Sequence, residues 1–195
     1  MIEIKDYVPD GLSRLVDLMV RIKTILIVVT LPILPITFFL VVFLRYILEK
    51  DLFAYEEWLL MICCWLYFLG SALGTYYDTQ INADLMASIT KNPTFLWMRK
   101  VAITLVELVI TVIVLYWGIL MLSDEIGMYP RWKTTIALKI PFIVPRIGIV
   151  VGLFFMALYS ALHLFVLFRI GAKKYCELLD KSMVISTEPE VGEKQ

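Results

Sequence analysis

The sequence predicts an all-α integral membrane protein, with four transmembrane helices plus short amphipathic interfacial helices. Of its 195 residues, 61% are hydrophobic and 18% are charged, whereas a soluble domain carries about 25% charged residues. The apolar residues are concentrated in four blocks, each long enough to cross a hydrocarbon core of about 30 Å as a helix. Because backbone groups in lipid must hydrogen-bond within their own segment, these blocks are expected to be helical.

The four blocks are predicted as spans of a single membrane domain over residues 1–181, and they cover residues 24–47, 58–77, 101–123 and 146–168. Two prolines lie inside the first block, and because each removes a backbone donor, the first helix should bend there. Two more prolines, Pro141 and Pro145, precede the fourth block. They predict an extended approach followed by a proline-assisted helix start.

Three segments outside the spans are amphipathic or polar. Residues 10–22 carry apolar side chains on one helical face and charged side chains on the other, which predicts a helix lying in the membrane interface. Residues 79–97 repeat apolar residues at helical spacing and predict a second such helix. Residues 182–195 are polar and acidic, and are predicted to be a disordered cytoplasmic tail.

The distribution of lysine and arginine predicts that both termini are cytoplasmic. With an even number of spans, the termini and the middle loop share one side, which carries eleven of these residues near the span ends. The other side carries six, and positive residues favour the cytoplasm. The mixed charges at the N-terminus do not match a cleavable signal peptide.

Composition also limits the chemistry that is expected. A net charge of zero argues against a nucleic-acid partner. The three cysteines form no CxxC pair and no zinc-ligand spacing, so neither a disulfide framework nor a metal site is predicted. A single histidine cannot supply the two axial ligands of a b-type haem. We therefore expect no catalytic, cofactor-binding or metal-binding residues in this chain.

Glu107 and His163 are ionisable residues inside predicted spans, and such residues are expensive in lipid. Their distances from the nearest flanking cations place both at roughly 10 Å inside the cytoplasmic boundary. They could form a proton relay, a structural pair, or two groups satisfied by a partner protein. Since no ionisable residue continues toward the far side, the structural interpretations are favoured.

Small residues and cysteines mark the second and fourth spans. Gly70 and Gly74, like Gly148 and Gly152, are four residues apart, a spacing that lets helix backbones approach closely. The vicinal cysteines at 63–64 lie in mid-span, away from the aqueous boundary where thiol exchange occurs. An unrelated four-span redox or enzyme subunit is nevertheless kept as an alternative.

The second span combines a glutamate at its start with aromatic residues and glycine at fixed distances. Glu57 is followed eight residues later by Trp65, and then by Phe68 and Gly70. The sequence QINAD follows at 80–84, and ALKIP lies before the fourth span. This pattern resembles the DctQ-like small membrane subunit of tripartite ATP-independent periplasmic (TRAP) transporters, over roughly residues 24–169. In that family the first residue of the QINAD position is usually histidine.

The resemblance implies a scaffold subunit and no enzyme. A large twelve-span partner subunit would carry the substrate and sodium sites and move by an elevator motion. A periplasmic substrate-binding protein would deliver an organic acid of the sialic acid or dicarboxylate class. The chain would lie among phospholipids in a bacterial inner membrane, and would hold the large subunit in place. Sodium ions are expected in that partner subunit only.

Three groups of residues are the candidate sites. Contacts with the large subunit are expected at seven positions: Glu57, Trp65, Phe68, Gly70, Gly74, Gly148 and Gly152. Docking of an acidic patch on the binding protein is expected at three basic residues of the loop before the fourth span: Arg131, Lys133 and Lys139. Glu107 and His163 form the candidate intramembrane polar pair.

Overall fold

The computed structural model describes residues 10–50, 52–78 and 93–187, and this part of the chain is a helical bundle. The helices are α1 (Asp10–Thr30), α2 (Ile33–Ile47), α3 (Tyr55–Tyr76), α4 (Pro93–Gly127) and α5 (Ile143–Thr187). Four stretches are long and apolar enough to cross a membrane: Ser13–Ile47, Tyr55–Tyr76, Thr94–Gly127 and Ile143–Ala172. The predicted all-α membrane fold is confirmed.

The first span is interrupted at its prolines, where the sequence predicts a bend. α1 ends at Thr30, a turn follows at Leu31 and Pro32, and α2 begins at Ile33. Pro35 lies in the first turn of α2, where a missing N–H costs no intrahelical hydrogen bond. The interruption is therefore a complete break between two helices.

The predicted interfacial helix at 10–22 is not a separate element, because α1 continues without a break into the first span. Val16, Val20 and Lys23 are buried in the bundle, whereas Leu15 is 52% exposed. The buried stripe follows i, i+4 and i+7 spacing, and so continues directly into the span. Residues 10–22 therefore form the N-terminal part of α1 and pack against the bundle.

The second predicted amphipathic segment, 79–97, lies mostly outside the described residues. Residues 79–92, which include the QINAD sequence, are not described, and residues 93–97 belong to the first turns of α4. An interfacial helix over this segment stays a prediction.

The centre of the bundle is α5, which packs along α4 on one side and α3 on the other, while α1 packs on α3. Position 68 faces position 152 and position 75 faces position 163, so α3 and α5 run parallel. Position 107 faces position 160 and position 97 faces position 167, so α4 runs antiparallel to α5.

The fourth span ends at a glycine break inside α5. Gly171 has φ 73° and ψ 168°, which is not a helical conformation. Positive φ is readily adopted only by glycine, so this residue separates the spanning part of α5 from a second helical part. The second part continues to Thr187 and overlaps the predicted tail at 182–187. Residues 188–195 lie outside the described part of the chain.

The backbones of α3 and α5 approach closely at Gly152. A Cβ atom placed on Gly152 would lie 2.5 Å from the Cβ of Phe68 and 2.9 Å from the Phe68 backbone. A Cβ placed on Gly148 would lie 3.0 Å from the ring of Trp65. We call this contact, formed by Trp65 and Phe68 against the two glycines, the glycine seam. Any side chain at Gly152 would force the two backbones apart.

We expect Gly152→Ala to lower the free energy of unfolding by about 1–3 kcal/mol, the usual cost of overpacking a close contact. Thermal unfolding of the purified chain in detergent measures this change. Gly70→Ala is the matched control on α3, because a Cβ at Gly70 would meet nothing within 4 Å. Equal melting temperatures for the two variants would contradict the glycine seam.

Candidate functional site

The loop between α4 and α5 contains a hydrogen-bonded hairpin over residues 133–142, which we call the outer hairpin. The N–H of Thr135 donates to the carbonyl of Ile140 at 2.9 Å, and the N–H of Phe142 donates to the carbonyl of Lys133 at 3.0 Å. The N–H of Ile140 also donates to the Thr135 hydroxyl at 2.9 Å. These bonds give the loop a defined shape.

Glu57 holds the outer hairpin from the first turn of α3. Its two carboxylate oxygens accept hydrogen bonds from the N–H groups of Ala137 and Leu138, each at 2.8 Å. Hydrogen bonds to a charged acceptor are stronger than neutral ones. Two parts of the sequence pattern, Glu57 and ALKIP, are therefore brought together within the chain. Contact between Glu57 and the large subunit stays a prediction.

The remaining predicted interface residues divide into two groups. Trp65 donates its indole N–H to the carbonyl of Val144 at 3.2 Å, and its ring packs on Gly148 in the glycine seam. The first group, Trp65, Phe68, Gly148 and Gly152, thus forms contacts within the chain, as Glu57 does. Gly70 differs, because nothing in the described chain lies within 4 Å of its Cβ position. Gly74 lies one turn further along α3 and is half-buried.

One of the two adjacent cysteines of α3, Cys64, also contacts α5. Both Cys63 and Cys64 are free thiols of intermediate exposure. The Cys64 thiol lies 3.6 Å from the carbonyl of Pro145, close enough to donate a weak hydrogen bond. This contact adds to the packing at the start of α5.

Glu107 and His163 line the same small polar cavity of about 10 Å³ between α3, α4 and α5. This volume is near the smallest that holds one water molecule. The other residues around it are Thr75, Asp78, Thr104 and Ser160. The Ser160 hydroxyl donates to Glu107 Oε1 at 3.2 Å, so the glutamate joins α4 to α5. The sequence-predicted pair is therefore brought to one place.

His163 joins α5 to the end of α3. Its Nε2 atom lies 3.0 Å from the carbonyl oxygen of Thr75 and 3.1 Å from that of Tyr76. Because carbonyls only accept hydrogen bonds, Nε2 must carry a hydrogen in this arrangement. Carbonyls in the last turn of a helix lack intrahelical donors, so His163 satisfies the C-terminal end of α3.

The polar cavity does not extend along α4 toward the opposite end of the bundle. The next carboxylates on α4 after Glu107 are Asp124 and Glu125, about 27 Å away along the helix axis at 1.5 Å per residue. The intervening residues Leu108–Ser123 include no Asp, Glu, His, Lys or Arg. The geometry therefore favours a structural role for the pair over a proton relay.

Lys23 is a buried cation that the sequence reasoning treated only as a charge flanking the first span. Its side chain is 3% exposed and donates a hydrogen bond to the Tyr159 hydroxyl. The ammonium nitrogen lies 3.9 Å from the ring centroid of Phe155 and 4.1 Å from that of Tyr159. Cation–π contacts of this kind strengthen when water is removed. Its burial could have been predicted from the sequence, because Lys23 lies on the same helical face as Val16 and Val20.

Two ion pairs join the helices near opposite ends of the bundle and were also missed. Arg146 at the start of α5 pairs with the buried Glu125 near the end of α4. Lys100 in α4 donates to both oxygens of Asp78, at 2.8 and 2.7 Å. The partners are 21 and 22 positions apart and do not share one helix, so helical periodicity alone does not reveal either pair.

We expect Glu57→Ala to loosen the outer hairpin, because two N–H groups lose a charged acceptor. Hydrogen exchange at the amides of Ala137 and Leu138 should become about tenfold faster. Glu56→Ala is the matched control, since Glu56 is the exposed neighbour in the same helical turn. If both variants exchange like the unsubstituted chain, Glu57 does not hold the hairpin.

Comparison of the sequence with known protein families gives a match to a transporter component. The family described as "Tripartite ATP-independent periplasmic transporters, DctQ component" matches residues 34–170, more than half of the 195 residues. The matched region contains the glycine seam, the outer hairpin and the polar cavity. No curated protein matches the chain in a separate comparison. Since the family is a transporter component, the alternative of an enzyme subunit is excluded, and the chain belongs to the DctQ family of TRAP transporter small membrane subunits.

Proposed function

We propose that this subunit is the stationary brace of a sodium-coupled TRAP transporter. The proposal rests on the unequal burial of the four spans within the chain. Only 6% of the most apolar window of Ser13–Ile47 is buried, against 33% for Tyr55–Tyr76. The glycine seam packs α3 against α5. The broken first span, and with it Thr94–Gly127 at 11%, is left largely open to a neighbour or to lipid.

The neighbour in this proposal is the large twelve-span subunit, which carries the substrate and sodium sites and moves them by an elevator motion. Such motion needs a frame that does not follow it. A bundle joined by buried hydrogen bonds and close backbone contact resists deformation, because packed interiors are poorly compressible. Surrounding phospholipids would hold the frame at a fixed depth through its exposed apolar faces.

The proposed orientation puts both termini in the cytoplasm of a bacterial inner membrane and the outer hairpin in the periplasm. Arg131, Lys133 and Lys139 are exposed on that side of the bundle. They would face an acidic patch on the substrate-binding protein and steer its docking. The transported solute, an organic acid of the sialic acid or dicarboxylate class, would be selected by the partner chains. Sodium would be bound by the large subunit.

Reconstitution in liposomes tests the proposal directly. The large subunit and the binding protein are incorporated with and without this chain, and sodium-driven uptake is measured. Uptake should require the chain. Full uptake in its absence, or a chain that never co-purifies with a large membrane subunit, would overturn the proposed function.

We expect Gly70→Leu to weaken co-purification with the large subunit. A Cβ at Gly70 would meet nothing within 4 Å in the described chain, so the fold should be kept and the bulk should act on a neighbouring helix. Gly127→Leu is the control, because a Cβ at Gly127 also meets nothing within 4 Å and lies at the end of α4. Normal co-purification of Gly70→Leu would remove this glycine from the interface.

We expect Glu107→Gln to lower the thermal stability of the complex while sodium dependence of uptake is kept. Glutamine retains a carbonyl acceptor for Ser160 but replaces the second carboxylate oxygen by an NH2 donor, which changes the hydrogen bonds available in the cavity. Melting temperature and uptake at varied sodium concentration measure the two effects. Loss of sodium dependence in an intact complex would show that Glu107 takes part in coupling.

A further inference from the structure

We infer that the outer hairpin is the docking element for the periplasmic binding protein, and that Ile136 at its tip is the apolar centre of that contact. The inference rests on the proposed function and adds to it the residue on which docking depends. It arises from three features of the hairpin: the exposure of Ile136, the rigidity of its backbone and the sign of the surrounding charge.

Ile136 is 96% exposed. The next residue toward the N-terminus, Thr135, is buried at 8% exposure and bonds within the hairpin. The isoleucine is therefore held outward by a backbone whose other groups are engaged. An aliphatic side chain in this position gains from burial against a partner, since burying apolar area is favourable.

The tip is preorganised for contact. Glu57 accepts the two N–H groups that directly follow Ile136, so the tip is fixed to the first turn of α3. A recognition element already held in its bound shape loses little conformational freedom on binding. Glu57 is thus a positioning residue for docking.

Charge around the tip favours an acidic partner. Residues 128–142 contain Arg131, Lys133 and Lys139 and no aspartate or glutamate. All three cations are exposed, and each lies within five residues of Ile136 in the sequence. Protein interfaces commonly place apolar contact at the centre and charged residues at the rim. The complementary surface on the partner is an apolar depression bordered by carboxylates.

The position of the tip favours a protein over lipid as its occupant. Its backbone is bonded to a carboxylate in the first turn of α3, beside a second exposed carboxylate at Glu56. Two carboxylates belong at the aqueous end of a span, because charge in hydrocarbon is costly. Anionic lipid headgroups remain the competing occupant, and the experiment separates the two.

The test uses the complete complex of both membrane subunits, in nanodiscs to measure binding and in liposomes to measure uptake, with the purified binding protein of the same transporter. Ile136→Ser should raise the dissociation constant of the binding protein about tenfold, and should slow uptake at limiting but not at saturating binding protein. Phe53→Ser is the matched control, because Phe53 is 74% exposed in the other loop on the same side. Its dissociation constant should stay unchanged.

A second variant reports where the tip lies. Ile136→Cys should react with a membrane-impermeant maleimide in intact complexes, over the background of the native cysteines, and the binding protein should protect it. If the cysteine is buried in lipid or is not protected, the inference fails. Unchanged affinity of Ile136→Ser in a normally assembled complex would also overturn it. Failure of the unsubstituted subunits to co-purify would instead overturn the proposed function.

Discussion

The close approach of α3 and α5 is the constraint on which the rest of the structure depends. Inside the bilayer, apolar side chains are already out of water, so packing two helices together brings no hydrophobic gain. Helix association there relies on van der Waals contact and hydrogen bonds. Gly152 and Gly148 provide that contact by leaving space for Phe68 and Trp65. Once these helices are in register, the outer hairpin meets Glu57 at one end and His163 meets the last turn of α3 at the other.

The polar side chains of the bundle serve mainly to join helices. Glu57, Trp65 and His163 each bond to backbone groups near a helix end or loop, where intrahelical partners are missing. Lys23 ties α1 to aromatic rings of α5. These polar side chains therefore have structural partners within the chain itself.

The two sides of the bundle suit different partners. α3 and α5 are closely packed at the glycine seam. The first span and α4 are covered little by their own chain, with 6% and 11% of their most apolar windows buried. In the proposed role of a stationary subunit, the chain would keep its shape through the first property and present an apolar surface to a moving neighbour through the second. The outer hairpin adds a third surface, at the aqueous end and basic in character. We infer that one rigid body thus links membrane and soluble partners.

Hydropathy and residue spacing alone determined the membrane class, the four spans, the breaks at proline and the family resemblance. These are local properties of the chain, set by helix length and by the backbone donors that proline lacks. Only the tertiary structure decided that Gly148 and Gly152 face inward while the Cβ position of Gly70 is open, and that Lys23 is buried. Periodicity shows that residues share a helix face, but contacts between residues some eighty positions apart depend on how the helices pack.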